Sequence, residues 1–131
     1  MDTKQYEKEY SEEKFFKKLT KHAKKIGAKL VYYALILYYV LQDPTVPAKY
    51  KAAIVGALGY FILPIDLIPD VAIGVGYIDD MGALVGALFT VMMHITPLVK
   101  EKAKQKMRDI FGDEIDEDLK KFDNEMEDMN K

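Results

Sequence analysis

Between Lys51 and Lys100 the chain carries no Lys or Arg, yet four aspartates stand in that stretch: Asp66, Asp70, Asp79 and Asp80. The surroundings are apolar, and taking a carboxylate out of water costs several kcal/mol even after relaxation, on the order of the penalty known for buried ions. No basic side chain within the stretch offsets that cost. A fold must therefore place these acids at helix starts or turns, bring a cation to them, or reach them with a lysine from outside.

The length of 131 residues suits a single domain. Half of the residues are hydrophobic, enough for a core, and the charged fraction of 31% argues against a plain membrane-embedded chain. A net charge of -2 argues against nucleic acid as the main partner, since phosphate binding needs a net basic face. The absence of cysteine excludes disulfides and thiolate metal sites. The mixed-charge N-terminus lacks the basic-then-apolar order of a secretory signal, so an intracellular protein is expected.

Charge divides the chain into three parts: residues 1–29 as a basic amphipathic N-terminal region, 30–111 as a helical core, and 112–131 as an acidic C-terminal helix or tail. The first contains Lys14, Lys17, Lys18, Lys21, Lys24, Lys25 and Lys29, with Phe15, Leu19, Ile26 and Leu30 on another helical face. This helix is expected to run on into Leu30–Leu41, an apolar stretch that is either a central core helix or a lipid-contacting one. Asp43-Pro44 stops it. A second helix should start near Pro47 and reach about Leu63, with Pro64 and Pro69 bracketing an irregular turn. A third is expected from Met81 to about Ile95, capped by Asp79 or Asp80. Thr96-Pro97 reads as a kink or a new start, and Gly112 as a stop. Ile115, Leu119, Phe122 and Met126 then mark a docked amphipathic helix. The expectation is an all-α, single-domain bundle of four to five helices with a Pro/Asp-rich turn region.

Lengths weigh against crossing a membrane. A span needs about 20 apolar residues, whereas Leu30–Leu41 and Ala52–Leu63 each give only about 18 Å. Each Asp at a bilayer centre costs about 2.5–3.5 kcal/mol. Basic clusters on both sides of the apolar middle both favour the cytoplasmic face. Peripheral association fits better, with the Lys14–Lys29 helix on anionic lipid and tyrosines such as Tyr32, Tyr33, Tyr38, Tyr39, Tyr60 and Tyr77 at an interface. The alternatives are a soluble bundle with those tyrosines in its core, and a small integral protein, multi-pass or re-entrant.

The acids admit three explanations. Each can cap separately: Asp43 before Pro44 and Thr45, Asp66 and Asp70 at the proline turns, Asp79 and Asp80 at a helix start. Together, Asp66, Asp70, Asp79 and Asp80 could hold Mg²⁺ or Ca²⁺, hard ions that accept all-oxygen sites, for binding or for metal-dependent hydrolysis. A lysine from elsewhere could pair with them instead. Gly74-x-Gly76 lacks the third glycine of a dinucleotide fingerprint, and no nucleophile motif is present.

The run Tyr60-Phe61-Ile62-Leu63-Pro64-Ile65-Asp66-Leu67-Ile68-Pro69-Asp70, followed by Gly76-Tyr77-Ile78-Asp79-Asp80, resembles the YkvA-like family, a bacterial and plant domain of unknown function. Asp43-Pro44 and the Pro47–Lys51 stretch are similar to it as well. The likeness covers roughly Leu37 to Val91 and departs from the family's pattern at Ile73-Gly74-Val75. It implies a small helical domain associated with membranes, with no established activity. The resulting expectation is a non-enzymatic module on an anionic membrane surface or a partner protein, such as a membrane protein.

Overall fold

The computed structural model describes the backbone of residues 15–23, 26–67, 82 and 84–129, and the side chains of these except 60–67 and 129. Among them there are helices and turns and no strand, so the chain is all-α. We number the helices α1 (residues 15–23), α2 (Ala28–Gln42), α3 (Ala48–Leu67), α4 (residues 84–90), α5 (Pro97–Phe111) and α6 (Asp116–Met129). Six helical stretches among the described residues slightly exceed the four to five expected from sequence.

The first two helices are separate, where the sequence suggested one. Gly27 divides them with φ +100°, a conformation that side-chain-bearing residues rarely adopt. Its N–H still closes the last turn on the Ala23 carbonyl at 2.9 Å. Leu19, Ala23 and Ile26 face the core, and Phe15 and Phe16 pack on Tyr38 with ring centroids 5.1 and 5.0 Å away.

α2 is the central core helix. Leu30 through Tyr38 and then Val40 are all buried, which is why its apolar positions form no single stripe. It ends where Asp43-Pro44 was expected to end it, and the Asp43 N–H bonds the Val40 carbonyl at 3.1 Å. α3 packs on one flank of α2 and α5 on another.

α3 begins after Pro47, whose carbonyl accepts from the Tyr50 and Lys51 N–H groups. It does not stop at Leu63: the helix passes through Pro64 and ends at Leu67. Proline's fixed φ is helical, so it forfeits one backbone bond and crowds the preceding turn without preventing the next. At about 1.5 Å per residue, α3 is about 30 Å long.

α4 buries Leu84, Ala87 and Leu88 and yields to a short 3₁₀ turn, Met92–His94. Thr96-Pro97 is a true helix start. The Thr96 hydroxyl accepts from the Val99 N–H at 3.2 Å, and Pro97 occupies the first turn, where no N–H is missed. Val99, Ala103 and Met107 make the buried stripe of α5, and Gly112 closes it at φ +88°. A 3₁₀ turn, Asp113–Ile115, leads into α6, which buries Leu119 and Met126.

Candidate functional site

Only part of the aspartate motif falls on described residues. Tyr60, Pro64 and Asp66 lie on the second half of α3, Asp66 in its last turn. Pro69, Asp70, Gly76, Tyr77, Asp79 and Asp80 lie outside the described residues. Among the described residues, no three or more His, Asp or Glu side chains gather where they could hold a metal ion.

Asp43 caps the turn between α2 and α3. Its Oδ1 accepts from the Thr45 N–H at 2.9 Å and from the Thr45 hydroxyl at 2.7 Å. Those bonds, the backbone one foremost, hold its carboxyl below the usual aspartate range, with Lys51 and His94 adding smaller electrostatic support. The turn fixes the entry of α3 relative to the exit of α2. Nearby, the Tyr50 and His94 rings lie 4.9 Å apart, joining the start of α3 to the turn after α4.

Of the basic residues read as a membrane surface, Lys14, Lys24 and Lys25 lie outside the described residues. Lys17 and Lys21 are exposed on α1, and Lys18 is half-buried. Phe16, Lys17, Thr20 and Lys21 line an open groove with Lys106 of α5, whose Nζ sits 4.4 Å over the Phe16 ring. Lys29 does not join that groove. It is ion-paired with Glu125 of α6.

The sequence reading missed the polar centre between α2, α5 and α6. The Tyr32 hydroxyl donates to Asp123 Oδ1 at 2.6 Å, and Lys104 Nζ lies 2.8 Å from Asp123 Oδ2. One carboxylate thus ties three helices. Burial, reinforced by Asp123, pushes the Tyr32 hydroxyl well above the ordinary tyrosine value. Tyr33 is pushed up to about 12 by burial first, then by Glu125 and Asp123. The available signal was the tyrosine pair itself: a phenol inside an apolar helix needs an acceptor. Tyr32, Tyr33 and Tyr38 are core residues here, not residues at an exposed interface.

Other surfaces are of another kind. Ala52, Ala53, Val55, Gly56 and Gly59 of α3 are exposed, as are Gly82, Gly86, Phe89 and Thr90 near and on α4, and Met93 and Leu98 beyond it. Phe89 is 62% and Met93 80% exposed. Among the described residues, no helix is long and apolar enough to cross a membrane.

The architecture is that of a small all-helical domain wrapped around one apolar helix, with a Pro/Asp-rich motif following Tyr60. Residues 50–86 match the sequence model of a family described as "Protein of unknown function (DUF1232)". The chain is 30% identical over 70 residues to the "Uncharacterized membrane protein YkvA" of Bacillus subtilis (strain 168). That alignment covers 49% of this chain and 65% of the relative, so the chain spans less than two thirds of the protein it matches. Both comparisons support the likeness to a YkvA-like family read from Tyr60 to Asp80. No solved structure matches it.

Proposed function

We propose that this chain is a non-enzymatic helical module that associates with the cytoplasmic face of a membrane, its basic first helix meeting anionic lipid. The observation that carries this reading is the groove where Lys17, Lys21 and Lys106 surround Phe16. Lysines beside an aromatic ring suit a headgroup layer, where cations meet phosphate and the ring meets the acyl boundary. The membrane protein of Bacillus subtilis to which the chain is similar supports the same setting.

Each lysine near an anionic surface contributes about 1 kcal/mol, so replacing both Lys17 and Lys21 by Gln should weaken vesicle binding roughly 30-fold. Co-sedimentation with phosphatidylcholine vesicles, with and without phosphatidylserine, measures this. Binding that rises with phosphatidylserine and falls with salt is expected. Equal pelleting at every lipid composition, or none, overturns the reading.

A further inference from the structure

The two C-terminal helices carry opposite charge. α6 holds seven acids against two lysines, and α5 holds five basic residues against two acids. The acids of α6 are not all placed for the sake of their own helix. Asp116, Glu117 and Asp118 in its first turn suit the positive end of the helix dipole. Glu127 and Asp128 in the last turn, with Glu125 just before it, crowd the negative end, where carboxylates are unfavourable.

What α6 faces accounts for them better. Lys100, Lys104 and Arg108 stand at i, i+4 and i+8 of α5, one row along that helix. Asp123 and Glu127 line a groove with Lys100 and Lys104. Asp123 pairs with Lys104 at 2.8 Å, and Asp116 with Arg108 at 2.8 Å. On α2, Lys29 pairs with Glu125. The Tyr32 hydroxyl donates to the same Asp123 carboxylate. Thus α6 sets carboxylates against cations of two other helices near its start, its middle and its end. Ammonium, guanidinium and phenol groups are donors that a phosphate accepts from as readily as a carboxylate does.

The helix is lightly anchored and has a place to turn. Its buried described side chains are Leu119 and Met126, against ten on α2. Phe122 is half-buried, its ring centroid 6.2 Å from that of Tyr32. The connection to α5 is Gly112, at φ +88°, and the short turn Asp113–Ile115. A few residues at the end of an element are enough to absorb a hinge rotation.

We propose that α6 is an autoinhibitory strap. Its carboxylates stand in for lipid phosphates on Lys29, Lys104 and Arg108, and an anionic bilayer displaces it to bind that α2–α5 surface. This rests on the membrane reading above and adds a second, guarded contact to the open α1 groove. Lys29, expected from sequence to face the membrane, reaches lipid only when the strap lifts.

A water-soluble carbodiimide joins a lysine and a carboxylate in contact directly as an amide, so it reads the closed strap. Phosphatidylglycerol offers the reagent neither amine nor carboxylate and serves as the anionic lipid. For the unmodified chain in solution, or with phosphatidylcholine vesicles, mass spectrometry should find the Lys29–Glu125 and Lys104–Asp123 cross-links. In chain pelleted with phosphatidylcholine/phosphatidylglycerol vesicles, both should fall severalfold. A variant with Asp116→Asn, Asp123→Asn and Glu125→Gln should bind those vesicles roughly tenfold more tightly than one with Glu114→Gln, Glu117→Gln and Asp118→Asn, which makes the same change in net charge at exposed acids. Pelleted chain that keeps both cross-links at their solution yield overturns the strap and leaves the membrane reading intact. Equal affinity of the two variants does the same. Absence of pelleting for the unmodified chain and for both variants overturns strap and membrane reading together.

Discussion

On the α5–α6 side of α2, polar groups that enter the interior find partners there: Tyr32 meets Asp123, Asp123 meets Lys104, and Lys29 meets Glu125. On α3 and α4, by contrast, the large apolar side chains of Val55 and Phe89 stand exposed to water. One region is tied by polar contacts between helices, and the other leaves apolar side chains exposed. Substitutions in the two regions should therefore differ sharply in their effect on stability.

The largest difference should come from paired truncations. Leu35 in α2 is fully buried, and Leu35→Ala should cost about 2–5 kcal/mol of unfolding free energy through lost transfer energy and a residual cavity. Val55→Ser, on the exposed flank of α3, should stay within about 0.5 kcal/mol of the parent. Urea denaturation followed by circular dichroism measures both. Comparable losses at the two positions would break the distinction, because Val55 would then have to be packed against something.

A smaller effect tests the tie itself. Asp123→Asn removes the charge that Lys104 faces and weakens the acceptor of the Tyr32 hydroxyl, and should cost about 1–3 kcal/mol. Tyr32→Phe should cost less, since it takes the donor away together with its need for a partner. The double variant should lose less than the sum of the two, with a coupling on the order of 0.5–3 kcal/mol. Additive losses would mean that α6 is held by its apolar stripe alone. Lys29 and Glu125, each more than a third exposed in its side chain, should contribute less, about 0–1 kcal/mol.

These two flanks were not equally legible. The stop at Asp43-Pro44, the start at Thr96-Pro97, the end at Gly112 and the stripe of α6 follow from local chemistry, and they stand where the sequence put them. Gly27 was invisible as a break because a single glycine inside a helical pattern costs only about 1 kcal/mol and is often tolerated. α3 outran its expected end because Pro64 was weighed as a stop, although proline satisfies the dihedral of its own turn. The Tyr32–Asp123 bond joins residues 91 apart in sequence, beyond any periodic pattern. The exposed flank was hidden differently. Ala52 to Leu63 reads as almost uniformly apolar, so nothing in its order said which residues would face the core.

The subtlest separation between the flanks is one of pH. Tyr33 ionises at 10.0 when unperturbed and is pushed up to about 12 in the fold; Tyr32 is raised further in the same direction. Between those values the unfolded chain has released the proton and the folded chain still holds it. The unfolded state then binds fewer protons, so unfolding free energy falls as pH rises. The contribution is intact below pH 10 and is lost through the interval to about 12, at up to about 1.4 kcal/mol per pH unit for each tyrosine. Tyr33→Phe keeps the ring and discards the proton, so it should match the parent near pH 7 and show a shallower decline above pH 10. Urea midpoints measured at half-unit intervals from pH 8 to 11.5 give both slopes. Parallel slopes would place the Tyr33 hydroxyl in water, and would weaken the claim that the α6 side of α2 is closed to solvent.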